Sequence, residues 1–223
     1  GESRNGSVVW DRAGRRIAFL STRRNGASND IWMMDVDKPE TAGIVLESPD
    51  GTWWGPVEFS ASGSKVLVQN YVSITDSRAH LLDLDTGTHT LLTGGGGGGS
   101  NEPVAFDAAD EGYWLITDQY GEFRQLAWQA LEPGADVEIV TGDIFWDITE
   151  VELSHDRRRL VFAANENGLS RVYLLDTASR EYRVVDSIPV GIAYGFEFSP
   201  DDRRLAMTLN TPQTPADTFV LDL

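Results

Sequence analysis

The chain has no cysteine, only two lysines (Lys38 and Lys65) and three histidines in 223 residues. Without cysteine there is no disulfide framework and no thiolate metal site. His80, His89 and His155 have no second histidine or carboxylate at ligand spacing, so a zinc centre or a nucleophilic triad has nothing to be built from. We take all three as structural or surface residues and expect no metal and no cofactor. Long apolar runs are also missing. Nothing approaches the roughly 20 residues a membrane-crossing helix needs, and no basic-then-apolar leader opens the sequence. No stretch keeps a 3.6-residue apolar period over three turns, which argues against helices. Positive charge is scarce, with 35 acidic against 18 basic side chains and a net charge of −17. Such a surface repels phosphate backbones and anionic headgroups, so we expect no nucleic-acid and no membrane partner. The compartment stays open, the cytoplasm being preferred to the periplasm.

What is present is a repeat. A polar turn running into an apolar strand recurs five times, starting at Asp11, Ser60, Asp107, Ser154 and Ser199, in steps of 49, 47, 47 and 45 residues. The first copy reads Asp11-Arg-Ala-Gly14 before Arg16-Ile-Ala-Phe-Leu20; the fifth reads Ser199-Pro-Asp-Asp202 before Arg204-Leu-Ala-Met207. A second anchor keeps a nearly constant offset from the first: Asp30-Ile-Trp-Met-Met-Asp35, Arg78-Ala-His-Leu-Leu-Asp83, Arg124-Gln-Leu-Ala-Trp128, Arg171-Val-Tyr-Leu-Leu-Asp176 and Asp217-Thr-Phe-Val-Leu-Asp222. A period in the forties made of short strands predicts propeller blades. The fold class expected is therefore all-β: a β-propeller of five four-stranded antiparallel blades, spanning about 5–48, 49–95, 100–141, 143–187 and 188–223, in one domain. The fifth copy lacks a fourth strand. An unclosed array exposes sheet edges and blade faces, so we expect either a larger ring of about seven blades or self-association that covers those edges.

Three features invite a chemical reading. Gly94 to Gly99, followed by Ser100, lacks the Gly-Lys-Ser/Thr ending and following helix of a phosphate loop, and reads as a flexible or inserted connection. Asp35-Val-Asp37, Asp83-Leu-Asp-Thr-Gly87 and Asp107-Ala-Ala-Asp-Glu-Gly112 do not continue into a twelve-residue calcium loop, and read as turns with aspartate as local acceptor. Aromatic residues in the links entering each innermost strand are the best binding candidates, because corresponding links gather at one end of a propeller. They are Trp53 and Trp54, Trp146 with Asp147, and Tyr194; Tyr71, Asp76 and Arg78 form a second group in the long loop of the second copy. Aromatics with a carboxylate suit a peptide, an amine or an apolar protein face. For Trp53 or Trp54 singly, packing between blades competes with that role.

Several stretches resemble the propeller domain of bacterial prolyl oligopeptidase family serine peptidases. They are Ser3-Arg-Asn-Gly-Ser-Val-Val-Trp10, Arg15-Arg-Ile-Ala-Phe19, Asn70-Tyr-Val-Ser-Ile-Thr-Asp-Ser-Arg78, Phe145-Trp-Asp-Ile148 and Asn167-Gly-Leu-Ser-Arg-Val-Tyr-Leu-Leu-Asp176. The Ser-Pro-Asp turn near Ser199 is shared with TolB-like propellers. The first resemblance implies a propeller that screens peptide substrates and docks an α/β-hydrolase domain carrying the triad. No Gly-x-Ser-x-Gly nucleophile elbow occurs in this sequence, so these residues hold no peptidase machinery. The alternative is a stand-alone TolB-like propeller that binds protein or peptide partners.

Overall fold

The computed structural model describes residues 2–96 and 98–223, which form 19 strands and, among the described residues, no helix. The strands make five antiparallel meanders, called blades below, each with neighbours in sequence paired in space. Blade 1 holds β1 (Asn5–Trp10), β2 (Arg16–Ser21), β3 (Asp30–Asp35) and β4 (Lys38–Leu46). Blade 2 holds β5 (Trp53–Phe59), β6 (Lys65–Ser73), β7 (Asp76–Asp83) and β8 (His89–Thr93). Blade 3 holds β9 (Asn101–Phe106), β10 (Gly112–Thr117), β11 (Gln125–Ala130) and β12 (Val137–Ile139). Blade 4 holds β13 (Ile148–Leu153), β14 (Arg159–Glu166), β15 (Leu169–Asp176) and β16 (Tyr182–Val184). Blade 5 has three strands, β17 (Ile192–Phe198), β18 (Arg204–Asn210) and β19 (Asp217–Asp222). In such a meander the first-to-second and third-to-fourth connections share one end, here the turn end. The second-to-third connection and the link to the next blade share the other, the loop end.

One local solution recurs at the turn end. The fourth turn residue is left-handed in every blade: Gly14 (φ 65°), Gly63 (69°), Asp110 (54°), Arg157 (60°) and Asp202 (56°). Glycine and aspartate tolerate that region well; arginine does so at a cost. The first turn residue caps the returning backbone. Asp11 Oδ1 accepts from Arg15 N and Arg16 N, Ser60 Oγ from Lys65 N, Ser154 Oγ from Arg159 N, and Ser199 Oγ from Arg204 N. This is why the repeat begins with Asp or Ser, short side chains that reach the backbone a few residues on.

Each innermost strand also carries a register shift against its partner, between Gly6 and Val9, Pro56 and Glu58, Ile148 and Glu150, and Tyr194 and Glu197, and opposite Trp114/Leu115 in blade 3. An extra residue at one place in every blade bends the strand and re-aims the side chains beyond it.

The chain divides into two compact units, Gly1–Tyr120 with Trp128–Glu138, and Gly121–Ala127 with Ile139–Leu223. In the first, Ala18, Ile31 and Leu46 of blade 1 pack on Trp54, Phe59, Val66, Val68 and Leu82 of blade 2. Further along, the buried Tyr113 hydroxyl donates to Gln129 Oε1 at 2.6 Å and lies 2.8 Å from Thr93 Oγ1, and burial raises its pKa. In the second unit, Val161, Ala163, Val172 and Leu174 of blade 4 pack on Phe198, Leu205, Met207 and Leu209 of blade 5. Burying each of the Val, Leu, Ile, Phe and Met side chains among these contributes about 1.5–3 kcal/mol.

The glycine run Gly94–Gly99 includes Gly97, which lies outside the described residues, so the expectation of a flexible connection is not followed across its middle. Its described ends are held. Gly99 N donates to Thr75 O at 2.9 Å and Gly99 O accepts from Ser77 N at 3.2 Å. A Cβ on Gly94 would come within 2.9 Å of Ser77 O, so glycine here permits a close backbone approach.

Candidate functional site

The loop end of the second unit gathers exposed apolar side chains. In the β14–β15 hairpin, Asn167 (φ 56°) and Gly168 (φ 84°) make the tight turn that presents Leu169, 41% exposed. The link into blade 5 brings Val190 (67%) and Ile192 (49%), and β17 continues to Tyr194 (41%). The link into blade 4 presents Phe145 (70%) and Trp146 (36%). Tyr194, Ile192 and Leu169 line one hollow with Thr149, Glu150 and Asn165. Next to it a groove of about 290 Å³ runs between Leu169, Glu166 and Arg171 on one side and Asp186, Pro189 and Val190 on the other.

The backbone under this surface is fixed. Ser170 N donates to Gly191 O at 2.9 Å, and Ser170 Oγ accepts from Ala193 N at 3.0 Å, tying blade 4 to blade 5. A Cβ on Gly191 would meet Asn210 O at 2.5 Å, so only glycine allows that approach. Glu166 is oriented by the Tyr173 hydroxyl (2.9 Å), with Arg171 3.8 Å away. Burial, then the bond to Glu166, pushes the Tyr173 phenol up to about 12, so it stays a donor at neutral pH. The surface is thus apolar, rimmed by the carboxylates Glu150, Glu166 and Asp186 with Arg171 the cation among them. It suits an extended segment with apolar side chains and an amine or basic group.

Asp147 supports the frame of this site. Its carboxylate accepts from Arg124 N (2.9 Å), just before β11, and its carbonyl from Asn165 N (2.9 Å) in β14, pinning the link on both sides. Trp146 beside it is left on the surface.

In the first unit, Trp53 pairs in register with Tyr71, which is 42% exposed. The Trp53 ring lies along its own strand over Gly55, where a Cβ would sit 2.2 Å from it. Trp54 faces the other way. It is 2% exposed within the blade 1–blade 2 core, its Nε1 donates to Asp50 (2.9 Å), and its ring lies 4.7 Å from His80. Strand alternation puts one tryptophan of the pair on each face, and Trp54 is therefore a packing residue with no surface to offer. Asp76 and Arg78 form an ion pair at 3.2 Å. Val72 (40%) and Ile74 (81%) extend this rim through the β6–β7 hairpin.

Two titratable groups lie elsewhere. His80 is buried with both ring nitrogens unpartnered, and burial first, then the neighbouring His89 and Arg78, lowers its pKa to about 4. It is neutral across physiological pH. Glu152, on the innermost strand of blade 4, is pushed up to about 7 by burial and then by the charge of Glu197 on the innermost strand of blade 5.

Leu169, Val190, Ile192 and Phe145 are site residues that the aromatic-plus-carboxylate criterion passed over. Their signal was there: single apolar residues inside otherwise polar or glycine-proline connections, as in Gly168-Leu169 and Pro189-Val190-Gly191-Ile192.

Comparison with known proteins places the fold. No family model and no curated protein matches the sequence. Solved structures do match. TolB from Acinetobacter baumannii superposes with a TM-score of 0.71 at 16% identity, over 99% of this chain and 52% of that protein. A puromycin-hydrolyzing peptidase from Mycobacterium tuberculosis gives 0.79 at 12% identity, over 99% and 36%. Prolyl oligopeptidase B from Galerina marginata, bound to a 35mer hydrolysis and macrocyclization substrate, gives 0.79 at 11% identity, over 97% and 32%. The chain spans about half or less of these proteins' lengths. Its five sheets are β-propeller blades of the kind found in TolB and in prolyl oligopeptidases.

Proposed function

We propose that the chain is the non-catalytic propeller part of a prolyl oligopeptidase-like serine peptidase, screening peptide substrates and docking an α/β-hydrolase domain carried elsewhere in the parent protein. The observation that carries this reading is the apolar rim of Leu169, Val190, Ile192 and Tyr194 around a groove edged by Glu166 and Asp186. Exposed apolar side chains concentrated over a hydrogen-bonded frame are what a docking surface requires. The sequence holds no nucleophile elbow, so the role left to these residues is recognition.

The test uses the purified chain in two assays. With proline-containing peptide substrates it is expected to show no hydrolysis. With fluorescent peptides bearing apolar and basic side chains it is expected to bind, and Ile192→Asp is expected to weaken that binding at least tenfold. Turnover by the chain alone overturns the non-catalytic assignment; absence of binding, or binding indifferent to Ile192→Asp, overturns the recognition surface.

A second reading, a TolB-like propeller binding protein partners with no enzyme attached, is favoured by the TolB superposition, which covers a larger share of that neighbour than of the peptidases. The reading frame downstream of Leu223 separates the two: an α/β-hydrolase domain there supports the peptidase parent, and an unrelated sequence supports the TolB-like protein.

A further inference from the structure

Of the two carboxylates that edge the blade 4 groove, Glu166 is aimed by the fold and left short of donors. It ends β14 and pairs with Leu169 across the Asn167-Gly168 turn, which Asn165 Oδ1 closes by accepting from Gly168 N at 2.9 Å. The Tyr173 hydroxyl donates to its Oε1 at 2.9 Å. That phenol is itself fixed, with its ring stacked on Phe162 at 4.8 Å and edge-on to Tyr182 at 5.6 Å. An ionised carboxylate offers about four acceptor positions, and Tyr173 fills one. The cation beside it is Arg171, whose Nη1 lies 3.8 Å from Oε2, too far for a hydrogen bond. The Arg171 side chain is 48% exposed, against 28% for Glu166. Glu166 is therefore a rigidly held, largely sheltered anion whose companion cation is loose and half in solvent.

The rest of the groove is apolar. Val172 and Val185 are buried in its floor, and Val184 and Ile188 are half-buried beside them. Its volume of about 290 Å³ is at the lower end of the roughly 300–1,000 Å³ that holds small ligands, room for one long side chain and little more. An apolar floor edged by Glu166 and Asp186 fits a particular shape of ligand: an aliphatic stem ending in a cation. An anion would face both carboxylates. A peptide's N-terminal amine would bring its neighbouring amide groups onto the valine floor, where they lose water and find no partner.

We propose that this groove takes one long basic side chain, lysine or arginine, of a bound peptide, with its cationic head replacing Arg171 at Glu166 and its stem lying on Val172 and Val185. The proposal rests on the peptide-recognition reading above and names the residue that sets specificity there, Glu166. Tyr173 is a positioning residue, because it holds one carboxylate oxygen and leaves the other directed at the ligand. Arg171 is an internal competitor that the ligand's cation displaces. Hydrogen bonds between a charged donor and a sheltered carboxylate are strong enough to give at least a tenfold preference for the basic side chain.

Fluorescence anisotropy with the purified chain and a set of peptides differing at one residue tests this. Three are N-terminally acetylated and carry lysine, arginine or the uncharged isostere norleucine; a fourth carries norleucine and a free N-terminus. The lysine or the arginine peptide is expected to bind at least tenfold more tightly than acetylated norleucine, and the free N-terminus to add less than threefold. Glu166→Gln, its folding checked by circular dichroism, is expected to bring the basic-to-norleucine ratio within twofold. Tyr173→Phe keeps the stack on Phe162 and is expected to lower the ratio about threefold. Arg171→Gln removes the competitor and is expected to raise it. Damage to the fold would weaken all peptides alike and leave the ratio unchanged, so the ratio reports on the charge contact itself. Equal binding of the basic and norleucine peptides by the unmodified chain overturns the proposal while leaving the recognition surface standing; binding of none of them overturns that surface and the proposal with it. A ratio that survives Glu166→Gln, a preference carried by the free N-terminus, or a ratio lowered by Arg171→Gln also overturns the proposal.

Discussion

The two ends of the blades are built on opposite plans. At the turn end, polar groups are spent on one another: Asp202 accepts from His155 N and Asp156 N, Asp110 from Ala61 N, and Arg16 spans two blades. At the loop end of the second unit, the ties between blades 4 and 5 run through Ser170, Gly191 and Ala193, while Val190, Ile192 and Tyr194 stand out into solvent. Backbone amides satisfied across a seam fix the spacing of the blades. Apolar side chains left uncovered at the other end are then free to serve recognition without carrying stability.

The largest effect expected from this contrast is at Asp202. Burial acts to raise its pKa, but the N–H groups of His155 and Asp156 outweigh it and hold the carboxyl below the usual carboxylate range. Its contribution is present above the ordinary value of 3.8 and is lost as pH falls through the depressed one. Asp202→Ala is expected to cost about 2–3 kcal/mol, because two N–H groups lose a charged acceptor and the residue keeps a left-handed backbone. Asp202→Asn, which retains an acceptor and tolerates that conformation, is expected to recover at least half of the loss. Urea unfolding measures both; equal losses would mean that charge alone matters there.

A somewhat smaller effect is expected at Gly55. Its Cβ would fall 2.2 Å from the Trp53 ring, so Gly55→Ala displaces that ring from the strand face, at about 1–2 kcal/mol. An altered tryptophan emission spectrum, with peptide binding to the second unit unchanged, is the expected pattern. Lost binding would contradict the assignment of recognition to the Leu169–Tyr194 rim.

Much of this was legible in the sequence because each blade solves the same local problem. A short oxygen-bearing residue at the first turn position and a left-handed residue at the fourth are chemical requirements, and they leave a mark at Asp11, Ser60, Ser154 and Ser199. The extra residue in each innermost strand left none. Bulges at Thr149 or Gly195-Phe196 need only a pairing partner that skips a position, and no residue type announces that. For the same reason Trp53 and Trp54 look equivalent in sequence, yet alternation buries one and lays the other along the blade face. Leu169 and Val190 left a fainter mark, single apolar residues beside turn glycines and proline, which gains meaning only once their neighbours in space are known.

Between the two ends, on the innermost strands, Glu152 provides a pH-dependent test. Its folded value of about 7 lies above the ordinary 4.5, because burial and then the Glu197 charge disfavour its ionised form. The folded state therefore holds this proton more tightly than the unfolded chain does. Stability is greatest below pH 4.5 as far as this group is concerned, falls as pH rises from there to about 7, and is flat beyond. Glu152→Gln is expected to melt higher than the unmodified chain at pH 8 and at the same temperature below pH 4.5. A variant whose melting temperature keeps the unmodified chain's slope between those pH values would place that titration on another group.

The smallest stability effect is expected at the loop end itself, and it decides the contrast. Ile192 is 49% exposed and Tyr194 41%, and the frame beneath them is held by Ser170, Gly191 and Ala193 through backbone atoms and one hydroxyl. Ile192→Ser and Tyr194→Ser are each expected to shift unfolding by no more than about 0.5 kcal/mol, the range of ordinary surface substitutions. Ser170→Ala, which removes a hydroxyl that both donates to Ala193 O and accepts from Ala193 N, is expected to cost about 1 kcal/mol. Recognition and stability would then divide between side chains only a few ångströms apart. If Ile192→Ser instead costs as much as Ser170→Ala, the exposed rim is part of the seam between blades 4 and 5, and the loop end is built on the same plan as the turn end.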